Sequence, residues 1–328
     1  MQKTKDLVLG IDTSNYTTSV ALADPYGNVI RDERILLSVK QGERGLRQSN
    51  ALFQHQENLP KLLHKILPDY RDRIGAISVS SRPRPVEGSY MPVFLAGCQV
   101  GQILADAFGV PYFEYSHQEG HLKAASFDTK LRWDEPYLAW HLSGGTCELL
   151  QVHHDQIHII GGSLDISFGQ LIDRLGVAMD LMFPCGKALD TMAMAVRDHW
   201  TEEEKAVSEP LFKPVSRKGL EFNISGLETQ CLRHVENETV EPELLVYQLF
   251  LEIARCLHKV TTKAVETTGI KQVLFTGGVS ASLFVRDQWN VLQSKKNATK
   301  FDTFFGDPRH SSDNAVGTAM LGGQRLWD

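Results

Sequence analysis

The sequence predicts an α/β protein built from two related halves, each a three-strand meander followed by alternating helices and strands in the order βββαβα. Three observations predict it. The meander recurs about 130 residues after its first appearance. After each copy the spacing of apolar residues changes from the alternation of a strand to the 3.6-residue period of a helix. The 328 residues are 42% hydrophobic and 23% charged, an ordinary globular composition that excludes a disordered, collagenous or repeat-fibre chain.

The first meander reads LVLGID, then TTSVALAD, a turn at Pro25-Tyr26-Gly27-Asn28, and VIRDERILL. The second begins at Tyr137 with YLAWHLSGG, then TCELLQV, a turn at His153-His154-Asp155, and IHIIGGSLD. Between them, residues 56–67 (QENLPKLLHKIL) have helical spacing, GAISVSS reads as a strand, VFLAGCQVGQILADAF as a helix and VPYFEYS as a strand. The second half predicts helices around 168–182, 186–199 and 243–268, a strand at 272–276, a helix near 281–293, a strand at 300–305 and a last helix from Asn314. Residues 201–223, rich in Glu, Lys and Pro, read as a surface excursion or an insertion. The expected domains are 1–130 and 131–328, meeting in the polar stretch 127–136, as two layered α/β halves facing a cleft.

Charge and cysteine usage narrow the class of function. Lys plus Arg is 34 and Asp plus Glu is 40, a net charge of −6, so a broad electrostatic hold on phosphate backbones is not expected, though a local basic groove is compatible. The five cysteines, Cys98, Cys147, Cys185, Cys231 and Cys256, show no CxxC spacing, which signals neither a disulfide framework nor a zinc ribbon and points to a reducing cytoplasm. The opening MQKTKDLVLGID has too short an apolar run for a secretory signal, and residues 88–105, though uncharged, carry too many Gly, Ser, Pro and Gln for a membrane span.

His117 and His121 lie in EYSHQEGHLKAA directly after a predicted strand. A helix starting near Ser116 puts both imidazoles on one face at metal-ligand spacing, and two surface histidines give the same spacing by chance. Gly144 and Gly145 in HLSGGTCEL, after Ser143, and Gly277 and Gly278 in VLFTGGVSAS each end a short apolar strand. Glycine lets main chain approach a ligand, and such amides can cradle phosphate, but a GG turn also serves as a tight connection. With Asp12-Thr13-Ser14 at the matching place in the first half, the pattern is that of an actin-like or sugar-kinase-like nucleotide site. Asp173 and Asp190, on predicted helices after the second meander, are read either as ribose contacts or as a solvated helix face. Asp313 in SSDNAVGTA is read either as a helix N-cap or as a third cation ligand with the two histidines.

Nine segments in order resemble the TsaD-type threonylcarbamoyl transferases, once called glycoprotease-like, which modify tRNA adenosine beside the anticodon. LGIDTSNYTTSVAL is similar to the family's opening strand, HQENLP to its HxxxLP helix start, and SHQEGHLKAA to its HxEGH motif. YLAWHLSGGTCELL is similar to the SGGHT segment, GGSLDISFGQLIDR to GExxDDAAGEAFDK, FPCGKALDTMA to YPGGP and FNISGLET to FSGLKT. FTGGVSAS is similar to AGGVSAN, and SSDNAVGTA to CTDNAAMIA.

The resemblance implies the two-domain actin-like ASKHA fold. By position it implies a divalent metal, iron or zinc, held by His117, His121 and Asp313. It implies an adenine nucleotide or threonylcarbamoyl-adenylate lined by Ser143, Gly144, Gly145, Gly277, Gly278 and Ser282, with Asp173, Gly186 and Asp190 near the ribose. The reaction it implies is transfer of the threonylcarbamoyl group to an amine with loss of AMP, on tRNA and with companion proteins of the pathway.

The departures gather on the nucleotide and acceptor side. Tyr16 and Thr17 stand where the family has an acidic pair, Thr146 replaces the histidine of SGGHT, Cys185 the first glycine of YPGGP, and Ser282 the asparagine of GGVSAN. The longer loop SRPRPVEGSYMP brings Arg82, Arg84 and Glu87 toward the expected cleft, with Arg82 and Arg84 read both as anion contacts and as solvated charges. A divergent paralogue acting on a related carbamoyl group or a different amine is therefore expected. The competing reading is a non-catalytic partner that keeps the fold and pairs with a companion transferase. A sugar-kinase-like ATPase shares the fold but not the HxEGH motif, and no activated nucleophile supports peptidase chemistry.

Overall fold

The computed structural model describes residues 5–39, 46–127, 129–153, 156–205, 210–310 and 314–327. It forms two compact units, one of Met1–Thr129 with Gly306–Asp328 and the other of Lys130–Phe305.

The first unit opens with β1 (Leu7–Asp12), β2 (Thr17–Ala23) and β3 (Val29–Leu36), an antiparallel meander whose first two strands are fully buried. Next come α1 (Gln48–Tyr70), β4 (Ile74–Arg82), α2 (Phe94–Phe108), β5 (Tyr112–Ser116) and α3 (His117–Ser126). Strands β4 and β5 add in parallel, giving the order β3-β2-β1-β4-β5. Helix α1 buries Leu59, Leu62, Leu63 and Ile66, an i, i+3, i+4, i+7 stripe, against the apolar residues of the sheet. The helix runs longer than the 56–67 pattern predicts, with Pro60 and Pro68 inside it.

The second unit holds β6 (Tyr137–Leu142), β7 (Cys147–His153), β8 (Gln156–Ser163), α4 (Phe168–Ala178), α5 (Gly186–His199), the short α6 (Glu202–Lys205), β9 (Arg217–Lys218) and β10 (Glu221–Phe222). It continues with α7 (Ser225–Glu236), α8 (Pro242–Thr268), β11 (Gln272–Thr276), a 3-10 turn Gly278–Ala281, α9 (Leu283–Ser294) and β12 (Asp302–Phe305). Its sheet order is β12-β11-β6-β7-β8-β10-β9. Read from the third meander strand, β8-β7-β6-β11-β12 repeats β3-β2-β1-β4-β5, with antiparallel pairs in the meander and parallel pairs beyond it. The duplication expected from the strand pattern is thus a duplication of sheet topology.

Two expectations are corrected. The excursion over 201–223 supplies the edge strands β9 and β10 and buries Phe212, Val215 and Phe222, because β10 pairs in parallel with β8 and Phe222 stacks on Phe168 in the core. The second half expected at 131–328 also ends earlier. From Gly306 the chain rejoins the first unit, where α10 (Val316–Trp327) buries Val316, Ala319 and Met320 against Ala21 and Ala23.

Helix α8 spans the second core between clear local signals, Pro242 at its start and Gly269 in the left-handed region (φ 73°) at its end. The largest buried side chains there include Trp140, Phe168, Phe222, Phe250, Phe275 and Trp289. The Trp140 indole N–H donates to Thr261 Oγ1 at 2.8 Å, so the ring is buried with its polar atom satisfied. Among the described residues no helix is long and apolar enough to cross a membrane. The turn expected at His153-His154-Asp155 lies partly outside the described residues, at 154–155.

Candidate nucleotide face and histidine pair

In the second unit, β6 and β7 are joined by Ser143-Gly144-Gly145-Thr146. Ser143 N–H donates to the Thr146 carbonyl at 2.9 Å, and Ser143 Oγ accepts from the amides of Gly145 (3.3 Å) and Thr146 (3.0 Å). The hydroxyl therefore shapes the turn from within. Gly144 and Gly145 are exposed, their φ angles are negative or extended, and a Cβ on either would meet nothing within 4 Å. Neither conformation nor packing calls for glycine at these two positions. What glycine does there is leave main chain bare.

Other elements close around this turn. Ser167 N-caps α4 by accepting from Gln170 N–H at 3.0 Å, while its own hydroxyl donates to the Gly144 carbonyl at 2.8 Å. Gly169 lets that helix start so near, since a Cβ there would strike the Ser143 carbonyl and Gly144 Cα. At the end of β11, Gly277 has φ 91° and ψ 166°, a region essentially restricted to glycine, and a Cβ there would strike the Leu142 carbonyl. The two GG turns are therefore neighbours. Gly278 is exposed, and a Cβ on it or on Gly186 at the start of α5 would meet nothing within 4 Å.

The two carboxylates of this face have visible structural partners. Asp173 Oδ1 accepts from Cys185 N–H at 2.8 Å, just before α5 begins. Burial outweighs that bond and raises the Asp173 carboxyl above its usual range. Asp190 accepts the Ser282 hydroxyl at 2.5 Å on Oδ1, Phe284 N–H at 3.1 Å on Oδ1 and Leu283 N–H at 2.9 Å on Oδ2. Ser282 in turn accepts from Val285 N–H at 3.0 Å. Cys185, fully buried beside Gly176, has its thiol pushed up to about 11 by burial and the nearby Asp173, so it is no nucleophile. Ser143, Gly144, Gly145, Asp173, Gly186, Asp190, Gly277, Gly278 and Ser282 thus form one contiguous set in one unit.

In the first unit, Ser116 ends β5 and N-caps α3. Its Oγ accepts from Glu119 N–H at 3.2 Å and its own N–H donates to Glu119 Oε2 at 2.6 Å, a capping box encoded by the Ser and Glu of SHQEGH. The box fixes His117 at the first helical position, and His121 one turn on, with ring centroids 4.3 Å apart at 75°. Both rings are buried. Asp12, the last residue of β1 and fully buried, places Oδ2 3.4 Å from His117 Nδ1 and accepts the Ser14 hydroxyl at 2.7 Å. Its Oδ1 has no hydrogen-bond partner among the described residues.

Sequence reasoning places Asp12 with a hydroxyl-rich nucleotide turn and misses its place beside the histidines. The available signal is a carboxylate closing an otherwise apolar strand. Thr13 instead binds α2, donating to the Val93 carbonyl at 2.9 Å and accepting from Gly97 N–H at 3.1 Å. Arg82 is engaged locally, donating to Ser81 Oγ at 3.1 Å and lying 4.0 Å from Glu119 Oε2. The HQENLP segment holds β2, with His55 Nδ1 2.9 Å from Thr18 Oγ1 and Asn58 Nδ2 donating to the same oxygen at 3.3 Å.

Asp313 lies outside the described residues. The start of α10 is capped by its neighbour Asn314, whose Oδ1 accepts from Val316 N–H at 3.0 Å. Among the described residues no three His, Cys, Asp or Glu side chains converge as a metal shell. The two imidazoles of His117 and His121, buried on one helix face with ring centroids 4.3 Å apart, are nevertheless donors of the type that zinc or ferrous iron takes.

The repeated sheet topology is that of the two-domain actin-like ASKHA fold. The structure matches the activator of 2-hydroxyisocaproyl-CoA dehydratase from Clostridium difficile with bound ADPNP, at TM-score 0.53 and 12% identity, covering 98% of this chain and 95% of that one. It matches full-length HypF in its phosphate- and nucleotide-bound form at TM-score 0.60 and 11% identity, covering 100% of this chain and 47% of that one. It also matches the ROK hexokinase of Thermus thermophilus at TM-score 0.51 and 13% identity, covering 97% of this chain and 99% of that one. At these identities the likenesses show the fold. The particular family comes from the sequence: the model of TsaD, tRNA N6-adenosine threonylcarbamoyltransferase, matches residues 35–320, and the chain belongs to that family of transferases.

Proposed function

We propose that the protein transfers a threonylcarbamoyl or closely related carbamoyl group from its adenylate to an amine, with N6 of a tRNA adenosine as the first acceptor to test. The observation that carries the adenylate reading is the bare main chain at Gly144, Gly145, Gly186 and Gly278, where no side chain and no packing neighbour occupies the space beside the backbone. Such positions let amides reach a ligand's phosphate and sugar without steric cost. The family description, tRNA N6-adenosine threonylcarbamoyltransferase, supports the group transferred and the acceptor. Two proteins of the same fold carry nucleotides, ADPNP in the dehydratase activator and a nucleotide in HypF.

In the proposed step the amine nitrogen attacks the carbonyl of the mixed anhydride. A carbon–nitrogen bond forms, the carbon–oxygen bond to phosphate breaks, AMP leaves with the electron pair, and the amine's proton passes to water. No protein nucleophile is needed. His117 and His121, with Asp313 as the resemblance implies, would hold a divalent cation, iron or zinc, which supplies a Lewis acid for carbonyl and carboxylate oxygens. Asp12 orients the His117 ring through Nδ1, 3.4 Å from its Oδ2, and Nε2, 3.5 Å from Asn15 Nδ2, would be the nitrogen turned to the cation. The Gly144–Gly145 and Gly277–Gly278 turns bind and orient AMP and its adenylate.

The test is incubation of the purified protein with synthetic threonylcarbamoyl-adenylate and unmodified tRNA, with AMP release followed by chromatography and the digested RNA examined by mass spectrometry. The expected result is stoichiometric AMP and modified adenosine, both lost in Gly145→Val at an unchanged thermal midpoint. Binding of AMP without turnover, with or without the pathway's companion proteins, would favour the non-catalytic partner; no binding of any adenine nucleotide would overturn the reading.

A further inference from the structure

We propose that Asp190 is a positioning residue that closes the N-terminus of α9 and thereby sets the course of the Gly277–Ser282 segment, rather than a ligand of the ribose; this rests on the adenine-nucleotide reading of the face. The first three amides of α9 are all engaged. Leu283 N–H reaches Asp190 Oδ2 at 2.9 Å, Phe284 N–H reaches Asp190 Oδ1 at 3.1 Å, and Val285 N–H reaches Ser282 Oγ at 3.0 Å. A helix start whose amides are already satisfied offers no donors to a phosphate. This end of α9 therefore shapes the site without touching the anion.

The Ser282 hydroxyl completes the arrangement by donating to Asp190 Oδ1 at 2.5 Å, the short distance of a hydrogen bond onto a carboxylate. One serine oxygen both caps α9 and ties it to α5. Asp190 sits one turn beyond Gly186 on α5, so the carboxylate links the helix start that carries Gly186 to the segment that carries Gly278. Asp173 differs: it receives one amide, Cys185 N–H on Oδ1, and is the carboxylate with capacity for a ribose hydroxyl. Serine at 282, where the resembled family carries asparagine, suits the tie because its single oxygen donates and accepts at once.

Asp190→Asn keeps the side chain's size while removing its charge and one acceptor, and Ser282→Ala removes the tie more gently. Binding of AMP, 2′-deoxy-AMP and 3′-deoxy-AMP is measured by calorimetry for each variant, alongside amide hydrogen exchange of the ligand-free protein. A positioning role predicts that Asp190→Asn weakens all three nucleotides by the same factor, about tenfold, and speeds exchange of the Leu283 and Phe284 amides. Ser282→Ala should show the same pattern at smaller size, with faster exchange at Val285. Selective loss of AMP affinity that erases discrimination against a deoxy-nucleotide, with exchange unchanged, would make Asp190 a ribose ligand and overturn the proposal. So would an Asp190→Asn protein that matches wild type in every readout. If wild type binds no nucleotide, the adenylate reading fails by itself, and accelerated or unchanged exchange in Asp190→Asn still upholds or overturns the tie.

Discussion

The two units prepare for chemistry by opposite means. The first presents side chains: a capping box at Ser116 and Glu119 fixes His117 and His121, and a buried Asp12 meets one of the rings. The second presents main chain at its proposed site: a Cβ at Gly144, Gly145, Gly186 or Gly278 would meet nothing within 4 Å, while Asp190 and Ser282 hold the start of α9 and Asp173 accepts one amide just before α5. The lesson concerns which substitutions matter. On the proposed function, residue identity would do the work in the first unit, where the backbone is ordinary helix. In the second, the absence of a side chain would do it, with Asp190 and Ser282 as supports.

Gly277 and Gly278 sharpen that comparison within one dipeptide, and give the largest expected effect. Gly277→Ala places a Cβ into the Leu142 carbonyl in a backbone region reserved for glycine, and should cost about 3 kcal/mol or more of stability in urea unfolding. Gly278→Ala should leave unfolding within about 1 kcal/mol of wild type and instead weaken AMP binding. Equal stability of the two variants would break the distinction between a glycine that packing requires and one that a ligand requires.

His117→Ala tests the first unit. Metal content measured by mass spectrometry should fall from one per chain to a small fraction while the far-ultraviolet circular dichroism is retained, because the ring is held by α3 rather than holding it. Undiminished metal would remove His117 from the donor set. Asp12→Asn should lower metal affinity by about tenfold to a hundredfold, the usual effect of losing the partner that orients a coordinating histidine.

The smallest effect is expected at a support. Burial opposes ionisation of Asp165, but the amides of Ile224, Ser225 and Ile166 and the Ser225 hydroxyl outweigh it and hold the carboxyl well below the usual carboxylate range. A depressed folded-state value contributes stability above the unfolded-state value and loses it as pH falls through the folded one. Asp165→Asn should therefore lower the thermal midpoint by a few degrees near neutral pH, and the gap should close in strong acid. A gap independent of pH would mean that the lost hydrogen-bond geometry, not the charge, is what counts.

The pattern of the comparison also explains what could be read in the sequence. The meanders, α5, α8 and β11 are legible because their apolar periods are strong and their ends carry Pro, Gly or capping residues. Helix α7 is not, since only Leu227 and Cys231 are buried along SGLETQCLRHVE and two positions make no period. The final helix is legible as a helix but not as part of the first unit, because its small residues VGTAMLGG fit against any close neighbour. Clustering of the GG turns follows from their strand-end positions. The roles of Asp12 and Asp190 depend on contacts across 105 and 92 residues of chain, from Asp12 to His117 and from Asp190 to Ser282, which no local pattern reports.

The most direct test of the account is native mass spectrometry with metal analysis on wild type, His117→Ala and Gly145→Val, purified in parallel and offered AMP. The account predicts one metal ion and one AMP per wild-type chain, loss of the metal alone in His117→Ala, and loss of AMP alone in Gly145→Val. Retention of AMP by Gly145→Val, or a wild-type chain that takes up neither ligand, would contradict it.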